Sequence, residues 1–194
     1  MAKALSEIFN DLKDFGFQVP ERFFFKVPNA RQRLAKGLQY WLQREGVQPE
    51  WLPEYELVAD WLSDNKGKGL LLAGSCGRGK TLIATRILPV FFHEFKRVYS
   101  IYNSYDLNSK QREVFTSHFL CIDDLGVENE SVQYGERRNV FVELIDSVEK
   151  KGKLLVVTTN LTPTEIEEKY GTRTIDRLYS CCTIVEFNGA SLRK

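Results

Sequence analysis

The chain has 194 residues, 43% hydrophobic and 27% charged, with a formal net charge of +1, the make-up of one globular domain with a buried core and some elaboration. No apolar run reaches the roughly 18 residues that a membrane span needs, and Met1-Ala2-Lys3-Ala4-Leu5-Ser6-Glu7 lacks the apolar core of a secretory signal, so a cytoplasmic protein that touches no membrane is expected. Near-neutral charge also argues against a dedicated nucleic-acid module.

Up to about residue 66 the pattern is helical. Leu5, Ile8, Phe9, Leu12 and Phe15 recur at helical spacing, with Gly16 as a stop. Asn29 is placed to cap a helix carrying Leu34, Leu38, Trp41 and Leu42 on one face and ending near Gly46. A third helix starts near Pro53, with Tyr55, Leu57, Val58, Trp61 and Leu62 as its stripe. Residues 1–66 thus form a short helical extension before a core over 67–194. In that core, apolar strands at 69–74, 97–102, 118–123, 153–159 and 183–187 alternate with helical patterns, which predicts a five-stranded parallel sheet in an α/β three-layer sandwich. Pro89 should kink or shorten the helix over 80–95. A helix over 136–150 carries Val140, Phe141, Leu144, Ile145 and Val148 on one face. Thr162-Pro163-Thr164-Glu165 is a capping box that opens another, ended near Gly171.

Gly74-Ser75-Cys76-Gly77-Arg78-Gly79-Lys80-Thr81 follows the apolar run Leu70-Leu71-Leu72-Ala73 and opens a helix. This is the strand, glycine-rich loop and helix order of a P-loop. Its glycines let backbone N–H groups wrap phosphate oxygens while the helix N-terminus adds a favourable dipole. Lys80 would reach the β- and γ-phosphates of a nucleoside triphosphate, and Thr81 would place its hydroxyl on Mg²⁺. About forty residues on, His118-Phe119-Leu120-Cys121-Ile122-Asp123-Asp124-Leu125-Gly126 delivers two carboxylates to a strand's C-terminal end, the edge where ligands sit in open α/β sheets. Asp123 would hold Mg²⁺, and Asp124 would orient or deprotonate the attacking water, unless the pair merely caps the next segment. Thr158-Thr159-Asn160 emerges on the same edge. There Asn160 has two uses, holding the attacking water near the γ-phosphate or forming the turn before Thr162. Trp51 and Tyr55 have either a base or the core to pack on.

Ile122-Asp123-Asp124-Leu125-Gly126, Thr158-Thr159-Asn160-Leu161 and Tyr170-Gly171-Thr172-Arg173-Thr174-Ile175-Asp176-Arg177-Leu178 together resemble the AAA+ ATPases of the DnaC/IstB-like group, bacterial helicase loaders and transposition helper ATPases. The resemblance covers roughly residues 66–194. It implies a Mg²⁺-dependent ATPase that assembles with itself, with Arg177 as an arginine finger acting on a neighbour's ATP and Arg173 as the runner-up. It implies Arg193 as a second sensor of the γ-phosphate, and no full helical lid. The partner it implies is a replicative helicase or DNA during replication, or a transposase in the IstB-like alternative. A nucleotide-switched adaptor that hardly hydrolyses ATP is the reading from another class. Two features depart from the pattern: only about fifteen residues separate the second strand from the carboxylate strand, and the extension is short for a helicase-docking domain.

Charge is segregated within the extension. Arg22, Lys26, Arg31, Arg33, Lys36 and Arg44 are interleaved with Phe23, Phe24, Phe25, Tyr40 and Trp41 and with no acid, whereas Glu45 to Asp64 holds six acids and no base. Such a stretch suits single-stranded DNA. Equally, the aromatics can form core while the two blocks neutralise each other; docking on a protein is a third use. Cys76, Cys121, Cys181 and Cys182 show no metal-ligand or CxxC spacing, so free thiols are expected, and His93 and His118 have no partner in sight that would make them catalytic.

Overall fold

The computed structural model describes residues 5–16, 20–127, 131–133 and 136–192. In chain order these form α1 (Leu5–Asp14), α2 (Ala30–Arg44), α3 (Pro53–Ser63), β1 (Gly69–Gly74), α4 (Lys80–Leu82), a π-helical turn (Ile83–Ile87), α5 (Leu88–Glu94), β2 (Ser100–Asn103), a 3₁₀ turn (Ser104–Asp106), α6 (Gln111–Thr116), β3 (Phe119–Leu125), β4 (Ser131–Gln133), β5 (Glu136–Arg138), α7 (Val140–Lys151), β6 (Leu154–Thr159), α8 (Pro163–Tyr170), α9 (Thr172–Cys181) and β7 (Cys182–Phe187). β2, β3, β6, β1 and β7 lie side by side in that order, all parallel. The chain is therefore an α/β sandwich of the expected kind.

Side chains alternate across the sheet, and β1 shows what each face meets. Leu70 and Leu72 join Leu34, Leu38, Tyr55, Leu62, Ile83 and Phe92 on one side. Leu71 and Ala73 join Phe141, Leu144, Ile145, Ile166 and Leu178 on the other. α2 and α3 of the extension thus join the π-helical turn and α5 in one of the two outer layers and share its core. Asn65, 1% exposed, clamps them to the sheet: its side chain accepts from Phe25 N at 2.9 Å and donates to the Phe23 and Lys68 carbonyls at 2.9 and 3.1 Å.

Several local expectations are corrected by packing. Leu57 is half exposed rather than part of the buried stripe of α3. Asn29 sits at the start of α2 but in the left-handed region, φ 54°, with no side-chain cap bond. The segment after the loop bends through a π-helical turn ahead of Pro89, because proline has no N–H to give and its ring crowds the carbonyl four residues earlier. The helix expected from 136 begins at Val140: Asn139 caps it, accepting from Phe141 N at 3.1 Å, and the antiparallel pair β4–β5 occupies the residues before it. Thr162 forms the capping box with Glu165 and Gly171 ends α8, as the sequence reads.

The basic stretch is largely spoken for. Arg31 pairs with Glu56 at 2.8 Å, Lys26 with Asp64 at 3.1 Å and Arg33 with Glu94 at 2.5 Å, while Phe23 and Phe25 pack with Phe95 and Phe119. Neutralisation and core packing account for these members of it, while Arg22 and Phe24 stay exposed. Among the described residues no helix is long and apolar enough to cross a membrane.

Candidate functional site

The glycine-rich loop joins β1 to α4 and is pinned from three sides. Ser75 N donates to Phe187 O at 2.7 Å, Leu192 N to Gly77 O at 3.0 Å, and the Tyr55 hydroxyl to Arg78 O at 3.1 Å. The Arg78 guanidinium turns into a buried pair with Glu54, Nε to Oε1 2.5 Å, and donates to Ala190 O at 3.0 Å. Arg78 therefore supports the loop with its side chain and offers the cleft its backbone. Burial first, and then the neighbouring Glu54 charge, push the Tyr55 phenol up to about 12, so it remains a neutral donor. Gly77 and Gly79 have φ 72° and 89°, a region costly for a residue with a Cβ. A side chain at Gly77 would also strike the Ser191 hydroxyl, and one at Gly79 would come within 3.0 Å of the Tyr55 oxygen.

Lys80, 6% exposed, donates to Gly74 O at 2.8 Å, Ser75 O at 2.7 Å and Asn160 Oδ1 at 3.1 Å. The Asn160 amide nitrogen faces Asp124 Oδ1 at 3.5 Å, so this side chain lies between the lysine and the second carboxylate. Asp123 is 8% exposed and accepts from Thr158 Oγ1 at 2.6 Å; the same hydroxyl accepts from Asp124 N at 2.9 Å. The β3–β6 register slips between Ile122 and Leu125, and Asp124 stands in the left-handed region at φ 60°. This bulge inserts one residue, which frees Asp124 from the alternation that would send adjacent side chains to opposite faces. Fully buried Ser104 holds it there, donating to Asp124 O at 2.6 Å.

Lys80, Thr81, Asp123, Asp124 and Asn160 all line one cleft of about 400 Å³, together with Cys76, Gly77 and Gly79. Its other end is walled by Leu42 and Val47, at and just beyond the end of α2, and by Leu82 and Leu192. That wall was missed by sequence reasoning, because residues about thirty positions before the loop and over a hundred after it meet only in the fold. Trp51 and Tyr55 pack instead with each other, and Tyr55 is fully buried. Thr158, Ser104 and Glu54 were missed as well; polar residues inside or beside apolar runs were the only signal for them.

The donor set suits Mg²⁺. It offers oxygens from one hydroxyl, Thr81, and one carboxylate, Asp123, and among the described residues no cluster of three or more His, Cys, Asp or Glu forms a protein cage. Mg²⁺ is usually held in this way, by one or two side chains with substrate phosphates and water.

Arg177 and Arg173 do not line the cleft. Arg177 is paired with Asp146 and with Glu149, the latter at 2.9 Å, and its side chain is 13% exposed; that of Arg173 is 76% exposed and lies 3.9 Å from Asp146. Arg193 falls outside the described residues. The four cysteines are free thiols, Cys76 exposed and the rest buried.

No protein-family model and no curated protein matches the chain. Solved structures do. The DnaC helicase loader is 18% identical with a TM-score of 0.53, over 84% of this chain and 93% of that one. DnaI is 19% identical with a TM-score of 0.53, over 65% and 73%. AMPPCP-bound DnaA from Aquifex aeolicus is 16% identical with a TM-score of 0.50, over 69% and 45%. At these identities the likeness is one of fold, an α/β core similar to that of the DnaC helicase loader.

Proposed function

We propose that the chain is a Mg²⁺-dependent ATPase of the DnaC-like kind, acting in the cytoplasm on a replicative helicase or on DNA during replication. The observation that carries this reading is the convergence of Lys80, Thr81, Asp123, Asp124 and Asn160 on one cleft at the C-terminal edge of the sheet, in a fold shared with the DnaC helicase loader and with a DnaA solved with AMPPCP.

In this mechanism the loop amides from Gly77 to Thr81 take the phosphate oxygens of ATP, and the Lys80 ammonium offsets charge on the β- and γ-phosphates. Thr81 and Asp123 would hold Mg²⁺, which would supply Lewis-acid neutralisation of phosphate charge. Asp124 takes a proton from the attacking water or orients it. Asn160, whose amide spans Lys80 and Asp124, reports the presence of the γ-phosphate to both. A second subunit supplies an arginine from α9. Arg173 is the one presented to a neighbour, while Arg177 anchors α9 to α7 through Asp146 and Glu149.

Calorimetry with Mg·ATP tests the reading. Binding is expected for the native chain and loss of binding for Lys80→Ala; no heat from folded native protein, or undiminished binding by Lys80→Ala, would overturn it. Tight binding with phosphate release at background under every condition would instead make the chain a nucleotide-switched adaptor. Isolation under ATP and ADP in turn separates a helicase partner from the transposase of the IstB-like alternative.

A further inference from the structure

All five strands run parallel, so the cleft occupies their C-terminal ends and the segments leading into them gather at the opposite edge, about 20 Å away along a six-residue strand. Two glycines show how closely those segments meet. A Cβ on Gly152 would lie 2.8 Å from Glu21 O and 3.1 Å from Arg22 N, and one on Gly67 would lie 3.3 Å from Arg22 Cβ. Arg22 therefore sits between the turns Lys66-Gly67-Lys68 and Lys151-Gly152-Lys153. Beside it a groove of about 320 Å³ is lined by Arg22, Arg97 and His118, by one acid, Glu21, and by Phe23 and Phe119. The Arg97 guanidinium lies over both rings, 5.0 and 5.5 Å from their centroids, and Phe24 next to Arg22 is 67% exposed.

Arg22, Lys66, Lys96, Arg97 and Lys151 are all exposed, and among the described residues no carboxylate forms an ion pair with any of them. Such crowding is unexpected in a chain of net charge +1. The carboxyl ends of α5 and α7 favour cations at Lys96 and Lys151, but Arg22 and Arg97 belong to no helix. Burial first, and then the nearby Lys151 charge, bring the Lys153 amine down to about 8.

We propose that this edge is a binding surface for single-stranded nucleic acid, with backbone phosphates tracking the five exposed cations and an unpaired base stacking on the exposed Phe24 ring. Cations interleaved with ring faces are the combination that single strands use. A duplex read in its major groove would need a projecting helix or ribbon, and this edge consists of short turns. An acidic peptide gains little from ring faces. The surface lies opposite the nucleotide cleft and uses none of its residues, so it can be engaged while ATP is bound.

The test is fluorescence anisotropy of fluorescein-labelled oligo(dT) with the full chain over a series of KCl concentrations. Salt-sensitive binding is expected. Arg22→Ala/Arg97→Ala/Lys151→Ala is expected to weaken it by at least about tenfold at low salt and to flatten the slope of log K against log[salt] by about 2, at roughly 0.7 per lost phosphate contact. Arg31→Ala/Arg33→Ala/Lys36→Ala should leave binding unchanged. Because Arg22 and Arg97 also pack locally, Lys66→Glu/Lys96→Glu/Lys151→Glu provides a second variant; it should lose binding while melting like the native chain by circular dichroism. The proposal is overturned if the native chain shows no salt-sensitive oligo(dT) binding, or if both variants bind as the native chain does. It is equally overturned if phosphatidylserine vesicles or polyglutamate bind more tightly than oligo(dT) with the same sensitivity to the two variants. The oligonucleotide signal does not depend on ATP uptake, so this outcome and that of the nucleotide reading are separable.

Discussion

Thr158 does two jobs with one hydroxyl: it donates to Asp123 Oδ1 and accepts from Asp124 N. Removing it leaves both a carboxylate oxygen and a bulge N–H without their partner in a site that is 1% exposed at Thr158. Thr158→Val is expected to cost about 1 to 3 kcal/mol, read as a lower urea midpoint, with ATP turnover recovered by Thr158→Ser. Asp124 belongs to a different class of test, since its carboxylate is exposed and its left-handed backbone is held by Ser104. Asp124→Asn keeps the shape and should retain ATP binding while phosphate release falls by about 10²- to 10⁴-fold, the usual worth of a general base. Equal losses in binding and turnover would show that Asp124 is a ligand-holding residue instead. Asp123 and Asp124 are conspicuous in the sequence because acids end an apolar run. Thr158 and Ser104 are not, because a hydroxyl in or beside a strand has many ordinary roles and its partner is chosen by strand register.

At the scale of elements, α3 buttresses the glycine-rich loop through Glu54 and Tyr55. The Glu54–Arg78 pair is only 5% and 9% exposed. Breaking a buried pair by removing one partner strands a charge, so Glu54→Ala should destabilise by about 3 to 5 kcal/mol and loosen ATP binding by displacing Arg78; an unchanged denaturation curve would disprove the buttress. The strands themselves carry a pH signature. Burial raises the Cys121 thiol on β3 from 9.0 to about 12 and the Tyr55 phenol from 10.0 to about 12, and pushes the Cys182 thiol on β7 up as well. Groups whose folded values lie above their unfolded ones stabilise fully below the unfolded values, and that contribution is lost as pH climbs toward the folded ones. Lys153 acts in the opposite sense above about pH 8, because its folded value is lowered. Burial raises the Tyr99 phenol and the Cys181 thiol as well, so five groups against one predict a melting temperature that falls between about pH 9 and 12, and Cys121→Ala with Cys182→Ala should make that fall shallower. The helix boundaries illustrate the same division. The capping box at Thr162 was readable because its partners are three residues apart, whereas the start of α7 at Val140 was obscured by the short antiparallel strands β4 and β5, which leave little helical periodicity.

For the whole molecule, the arrangement of charge matters more than its sum. The sheet separates an acid-bearing cleft from a basic edge, and Arg173 on α9, with its side chain 76% exposed, is the residue on which the proposed action of one copy on another would rest. ATP turnover per subunit is expected to rise with protein concentration and to lose that dependence in Arg173→Ala; a rate per subunit independent of concentration would rule out an arginine supplied in trans. The sequence by itself determined the parallel α/β core, the loop from Gly74 to Thr81, and the positions of Asp123 and Asn160, since each is written in contiguous residues whose period or spacing has a direct physical meaning. Only the tertiary structure decided that α2 and α3 of the extension join a layer of the same core, that Arg177 faces α7, and that cations from four separate segments share one edge. Those outcomes depend on contacts between residues far apart in the chain, and no local pattern encodes which distant partners meet.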